Sequence, residues 1–180
     1  MSEVLLAVTL LALAAWLLRL WLFSGDRGWM PLELRCATLV YSEQIFRAPG
    51  RPMITAKVDR VYRRRDGRLV LVELKTRRIN LAYLSDVIEL SAQRIAITRD
   101  TGEHVLRHAY VVVQRPTGRR ATHRVQLLTD EEVVLLVRRR EAVLAGAQLP
   151  CLTRMEGLCK TCTFASECAQ NRANRYSPTT

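Results

Sequence analysis

Two apolar runs, Ile54–Arg63 and Leu69–Lys75, flank the dipeptide Asp66-Gly67, and this arrangement admits few folds. Asp-Gly supplies the positive backbone φ of a tight antiparallel turn, so the two runs read as one hairpin. Side chains alternate along a strand, so Glu73 and Lys75 project from one face of its second arm. A turn centred on Asp66-Gly67 pairs positions summing to about 133, which sets Asp59 opposite Leu74 and diagonal to both Glu73 and Lys75. Two carboxylates this close repel one another unless a cation neutralises them. Hard oxygen donors of this kind suit Mg²⁺ or Mn²⁺. Such an ion polarises a phosphoryl oxygen and activates its bound water; Lys75 is placed to orient that water and offset charge in the transition state. Asp, Glu and Lys alternate on many solvated hairpins. The triplet gains weight here from the apolar strand LVLVELK, the turn before it and a helix after it.

The flanking segments complete an α/β pattern. Leu32–Tyr41 is a mixed apolar run expected to contain a strand that ends near Ser42-Glu43. Arg78-Ile79-Asn80 opens a helix whose apolar positions Leu81, Leu84, Val87, Ile88, Ala92 and Ile95 recur at three or four residues, and Asp100-Thr101-Gly102 ends it. Tyr110–Gln114 is a β-branched strand that turns at Pro116-Thr117-Gly118 into a partner, Thr122–Leu128. Thr129 with Glu132 forms a capping box for a second helix running to about Gly146. The order strand, hairpin, helix, hairpin, helix predicts a mixed sheet flanked by helices, without internal repeats.

Ahead of this domain, Val4–Phe23 is a run of 20 residues in which only Thr9 and Arg19 are polar. As a helix it spans about 30 Å, one hydrocarbon core. Trp16, Trp21 and Trp29 lie in or just beyond its C-terminal end, as interfacial aromatics do. No basic residue precedes the run, whereas Arg19, Arg27 and Arg35 end or follow it, so a single-pass anchor with its C-terminal side in the cytoplasm is expected. A cleaved signal peptide fits less well, because Met-Ser-Glu carries no basic side chain and no small-x-small site follows. The expected organisation is a transmembrane anchor over 1–23, a linker over 24–28, a core over 29–147 and a cysteine-rich tail over 148–180.

Net charge is +11, and removing residues 1–23 deletes Glu3 and Arg19 together, so the remainder also carries +11. A basic excess on so small a domain suits a polyanion, nucleic acid or anionic lipid, against the plainer reading of a solvated arginine-rich surface. Arg51, Lys57, Arg60, Arg63, Arg64 and Arg65 are the candidate phosphate contacts, positioning a strand without reading its sequence.

The stretch Leu39–Arg77 (LVYSEQIFRAPGRPMITAKVDRVYRRRDGRLVLVELKTR) resembles the RecB-like branch of the PD-(D/E)XK nucleases, in particular the CRISPR-associated exonucleases that carry an iron–sulfur cluster. Ala56-Lys57-Val58-Asp59 stands at that family's G-K-x-D motif and Glu73-Leu74-Lys75 at its E-x-K. The helix Asp86–Gln93 looks like its Q-L-x-A-Q/Y motif, with Glu89 where the family usually has Gln. The resemblance covers roughly Leu39–Cys168 and is closest to short members that begin with a transmembrane helix. It implies a restriction-endonuclease-like core in which Asp59 and Glu73 hold the metal, Lys75 assists the attacking water and Gln93 supports the site or the DNA. Glu43, at the end of the preceding strand, is a further, weaker candidate for an outer metal contact. The histidine that often completes such sites has no clear equivalent, since His104, His108 and His123 come too late in the chain.

Cys159, Cys162 and Cys168 form C-x2-C-x5-C, a spacing that grips one metal or cluster. An odd total of five cysteines, with Cys36 apart, argues against a disulfide framework. The resemblance implies that these three ligate a [4Fe–4S] cluster with a fourth cysteine from upstream of the catalytic motifs. Cys36 matches that chain order, whereas Cys151 needs less loop closure and is the slightly favoured ligand. A Cys₄ site also satisfies Zn²⁺. The expected function is cleavage of DNA, as single strands or ends, at the cytoplasmic face of a membrane. The competing expectations are a degenerate module that binds nucleic acid without cutting and a structural protein whose basic face lies on anionic lipid.

Overall fold

The computed structural model describes residues 13, 27–151, 153, 156–166 and 168. The apolar run Val4–Phe23 lies outside them apart from Leu13, and among the described residues no helix is long and apolar enough to cross a membrane. The chain forms two compact units, divided between Val134 and Leu135.

The first unit is built on a five-stranded sheet in the order β1 (Thr38–Ala48), β2 (Ile54–Arg63), β3 (Leu69–Thr76), β4 (His108–Gln114), β5 (Arg120–Gln126). Neighbours are antiparallel except β3 and β4, which run parallel and are connected through helix α1 (Leu84–Thr101). This is the mixed α/β sheet that the order of segments predicts. β3 is central and apolar on both sides: Leu69 and Leu71 enter a core with Leu90, Ile95 and Ile97 of α1, while Val70 and Val72 enter a second core on the opposite face. That second core holds Leu34, Tyr62, Tyr110 and Val112, with Trp29 and Met30 packed against it. The segment 27–37 is therefore a strap across the face that α1 leaves uncovered. Within it Leu32–Leu34 is a 3₁₀ turn, not part of a strand, and its Leu34 is fully buried.

The β2–β3 turn differs from the expected two-residue loop. Arg64 donates its N–H to Arg68 O at 2.9 Å, and Gly67, at φ +81°, donates to Arg64 O at 3.0 Å. Three residues therefore form the loop, and the register sums to 132, from Arg63↔Leu69 to Arg60↔Val72. The physical reason is that a two-residue Asp-Gly turn needs positive φ at both positions, and only Gly67 takes it here. Gly118 closes the β4–β5 turn in the same way, with Arg115 N–H on Arg119 O at 2.8 Å.

β1 continues through Ser42-Glu43 to Ala48, because Phe46 and Ala48 bury against the helix-side core. Tyr41 and Phe46 both pack on that core, as do Val58 and Val61 on β2. Residues an odd number apart on an unbroken strand face opposite ways, so both strands switch faces between those points. Glu43, at φ +54°, lies at the switch on β1, and by register it faces Asp59 on β2.

Helix α1 starts at Leu84, three residues later than its apolar spacing suggests, and Leu81 and Leu84 are exposed. Asp86 causes the delay: its carboxylate accepts the Tyr83 N–H at 2.8 Å and pairs with Arg77 at 2.5 Å, which holds the residues before Leu84 out of the helix. Gly102, at φ +74°, ends the helix where expected. The capping box of α2 (Asp130–Leu144) forms as predicted, with Thr129 N–H on Glu132 Oε2 at 2.7 Å and Glu132 N–H on Thr129 Oγ1 at 3.1 Å. Thr129→Ala should cost about 1 kcal/mol and lower the thermal midpoint by roughly 2–4 °C, measured by circular dichroism; an unchanged midpoint would mean that tertiary packing alone holds the helix start.

In the second unit α2 ends at Leu144, Gly146 follows it at φ +72°, and a short helix α3 (Glu156–Lys160) carries Cys159 ahead of Cys162 and Cys168.

Candidate active site

Three elements deliver the candidate residues: Asp59 from β2, Glu73 and Lys75 from β3, and Glu89 and Gln93 from α1. The β2–β3 ladder stops at Arg60↔Val72. One step further Asp59 takes over with its side chain, accepting the Leu74 backbone N–H on Oδ2 at 2.9 Å. Asp59 spends only that oxygen on the described protein, which leaves Oδ1 open to another ligand. Because the register is one residue lower than a two-residue turn gives, the position facing Asp59 by extrapolation is Glu73, not Leu74.

Glu73 is buried, with 3% of its surface accessible. Its Oε1 lies 2.7 Å from Lys75 Nζ, and its Oε2 accepts from Gln93 Nε2 at 3.1 Å. Gln93 is itself buried and also donates to Lys57 O at 3.0 Å, so one amide ties α1 to β2 and β3. Lys75 Nζ reaches in the other direction to Glu89 Oε2 at 2.8 Å.

Burial raises the pKa of Glu73 above its ordinary value, and the nearby Asp59 and Glu89 charges add to it, against hydrogen bonds from Lys75 and Gln93. Burial alone would lower Lys75, but its hydrogen bonds to Glu73 and Glu89 prevail and hold the ammonium above its ordinary range. Lys75 is therefore a charged donor near neutral pH, able to orient water or stabilise negative charge but not to accept a proton.

The model of the PD-(D/E)XK nuclease superfamily matches residues 5–169. The chain belongs to that superfamily. Among solved structures it is similar to SSO0001, at 20% identity and a TM-score of 0.48, covering 89% of this chain and 71% of that one. It is also similar to a candidate exonuclease from Eubacterium rectale, at 13% identity and a TM-score of 0.46, covering 87% of this chain and 58% of the other. No curated protein matches it.

As a PD-(D/E)XK chain it departs from the superfamily's name in one place, since Val58 precedes Asp59 where the name writes proline. The structure brings Asp59, Glu73, Lys75 and Gln93 together at the end of the β2–β3 ladder. Among the described residues no three His, Cys, Asp or Glu side chains gather as a metal site. Two carboxylates nevertheless fit Mg²⁺ or Mn²⁺, ions that keep several waters and are often held by one or two carboxylates plus substrate phosphate. Glu43 pairs with Lys57 at 2.5 Å, on exposed side chains. The histidines are engaged elsewhere or exposed: His108 meets Glu33 at 2.9 Å, His123 meets Asn80 Oδ1 at 2.8 Å, and His104 lies at the surface.

The six candidate phosphate contacts are spread out. Lys57 is beside the site, where its carbonyl receives Gln93. Arg60 pairs with Val72 and so shares the strap face, opposite Glu73. Arg63 is paired with Glu103, and Arg64 with Glu33 at 3.2 Å and Asp66 at 3.3 Å. Arg65 is exposed at the turn, about 20 Å along the strand from Asp59, and Arg51 is exposed in the β1–β2 loop.

Sequence patterns did not disclose two features. Glu89 stands four residues before Gln93 on one helical face, a spacing legible in the sequence, but its pairing with Lys75 is seen only in the fold. Glu33 gathers Arg64, His108 and Tyr110 beneath the strap, and burial together with that carboxylate pushes the Tyr110 phenol up to about 12.

In the second unit Cys162 donates its N–H to Cys159 O at 3.3 Å and Cys168 donates to Phe164 O at 3.0 Å, so the backbone folds back between these cysteines. Cys151 Sγ accepts from Arg139 Nη2 at 2.6 Å. All five thiols are unpaired, and Cys36 belongs to the first unit.

Proposed function

We propose that the chain is a divalent-metal-dependent DNA nuclease of single-strand exonuclease type, from the RecB-like, iron–sulfur branch of its superfamily. The observation that carries this reading is Asp59 standing near the buried Glu73, whose one oxygen meets the Lys75 ammonium and whose other is fixed by Gln93. Asp59 and Glu73 are the residues to hold Mg²⁺ or Mn²⁺. When bound, such an ion supplies Lewis-acid polarisation of a phosphoryl oxygen and a more acidic water. Lys75 then orients the nucleophile and offsets charge on the phosphate, and Gln93 keeps Glu73 from turning away.

The C-x2-C-x5-C spacing supports a [4Fe–4S] cluster on Cys159, Cys162 and Cys168 with Cys151 or Cys36, and Zn²⁺ is the alternative occupant. The apolar run Val4–Phe23 supports a single-pass anchor, followed by a linker over 24–28, a nuclease core over 29–147 and the tail over 148–180, with the core in the cytoplasm. Arg51, Lys57, Arg60, Arg63, Arg64 and Arg65 are the proposed DNA contacts. The second reading, a module that binds without cutting, is favoured by one observation: Glu89 and Glu73 already share Lys75.

The test is full-length protein, purified anaerobically from carbonate-washed membranes and given labelled single-stranded DNA with Mn²⁺. Membrane retention, bound iron and cleavage that stops on chelation are the expected results. Tight DNA binding with bound Mn²⁺ and no cleavage would decide for the binding module, and stoichiometric zinc without iron would replace the cluster.

A further inference from the structure

The Lys75 ammonium is shared by two carboxylates in different surroundings. It lies 2.7 Å from Glu73, whose side chain is 4% exposed, and 2.8 Å from Glu89, whose side chain is 46% exposed. The other Glu73 oxygen is held by Gln93. Both Glu73 oxygens thus have protein partners, and a divalent cation on Oε1 would sit against the charge of the ammonium unless the ammonium withdraws. A displaced lysine ammonium near a dication needs a counter-charge, or it stays where it is and competes. Glu89 offers that counter-charge, already in contact and on the solvent side. Its backbone is fixed one helical turn before Gln93, the residue that steadies the other side of Glu73.

We propose that Glu89 is a positioning residue that takes Lys75 when Glu73 receives a divalent cation, so that ammonium and cation do not contend for one carboxylate. The proposal rests on Asp59 and Glu73 being the metal-binding pair. A glutamine at this position could accept a hydrogen bond from Lys75 but would leave Glu73 as its one carboxylate partner among the described residues. Glu89 thus acts through Lys75, and its effect on cation uptake requires Lys75 to be present.

A double-mutant cycle on full-length protein separates this from direct ligation, with Mn²⁺ affinity read by electron paramagnetic resonance of unbound Mn²⁺. Glu89→Gln should weaken Mn²⁺ binding roughly tenfold with Lys75 present, and less than about threefold when Lys75→Met is also present. Thermal unfolding checks that each variant folds, and Lys75→Gln replaces Lys75→Met if the latter does not. An equal loss in both backgrounds would make Glu89 a direct partner of the cation and overturn the proposal. No loss in either background would also overturn it. Wild-type protein that binds no Mn²⁺ would instead remove the metal-binding reading itself, and the proposal with it.

Discussion

Glu73→Ala and Lys75→Ala should each abolish most DNA cleavage while single-strand affinity stays within a few-fold of wild type. For Lys75 the loss in rate should be about 10²–10³-fold, the range for removing one preorganised donor from a developing anion. Glu73→Ala should lose at least as much, because it removes a proposed metal ligand and the partner of both Lys75 and Gln93. Contacts to phosphate act in ground and transition states alike, so affinity should survive both changes. Single-turnover cleavage with filter binding on the same protein separates the two quantities. A parallel fall in affinity and rate would place Glu73 and Lys75 in DNA binding rather than chemistry. Glu73→Gln adds a signature in stability. The raised Glu73 pKa means that the folded protein holds that proton more tightly than the unfolded chain does. The resulting cost is absent below the ordinary value of 4.5, grows as pH rises through the window above it, and is fully present beyond the raised value. Wild type should therefore lose stability relative to Glu73→Gln as pH rises from below 4.5 through that window, on top of a pH-independent offset from setting an amide NH₂ against the Lys75 or Gln93 donor.

The largest effect on folding is expected at Leu34→Ala. Leu34 is fully buried in the core beneath the strap, with Tyr62, Val70, Val72, Tyr110 and Val112. Truncation should cost about 2–5 kcal/mol, lowering the midpoint by roughly 10 °C at the few degrees per kcal/mol typical of a chain this long. Leu32→Ala, two residues away on a side chain 78% exposed, is the control and should change little. If Leu34→Ala also changes little, the strap does not seal that face in solution.

Much of the site is legible in the chain because it depends on local rules. The Glu73–Lys75 alternation follows from a spacing of two and the Thr129 capping box from a spacing of three, whereas Gln93 is picked out by the resemblance to the Q-L-x-A-Q/Y motif. The hairpin was legible in kind but not in register, since Asp-Gly serves both two- and three-residue loops and the choice rests on the φ of Asp66. The start of α1 differs from the apolar spacing because Asp86 binds Tyr83 N–H and Arg77, a local pairing that hydrophobic periodicity does not report. The run Leu32–Tyr41 does contain the start of a strand, β1 from Thr38, but its mixed apolar pattern does not show that Leu32–Leu34 turns as a 3₁₀ helix with Leu34 alone as a plug. Nothing in the residue types at Glu43 or Asp59 announces a change of face, because glutamate rarely takes positive φ and the switch needs both strands together.

That shared switch limits how this hairpin can change in length. Losing one residue from β1 between Tyr41 and Phe46 would make their spacing even, so that strand would no longer need to switch faces, and the same holds on β2 between Val58 and Val61. A single loss on either side leaves the partner still turning, so only a matched pair of losses restores agreement. Such a pair would also remove the crossing that points Asp59 toward Glu73. Insertions and deletions should therefore collect in the connecting loop over 49–53, and natural variants of this chain should hold the spacing from Tyr41 to Phe46 and from Val58 to Val61 constant together.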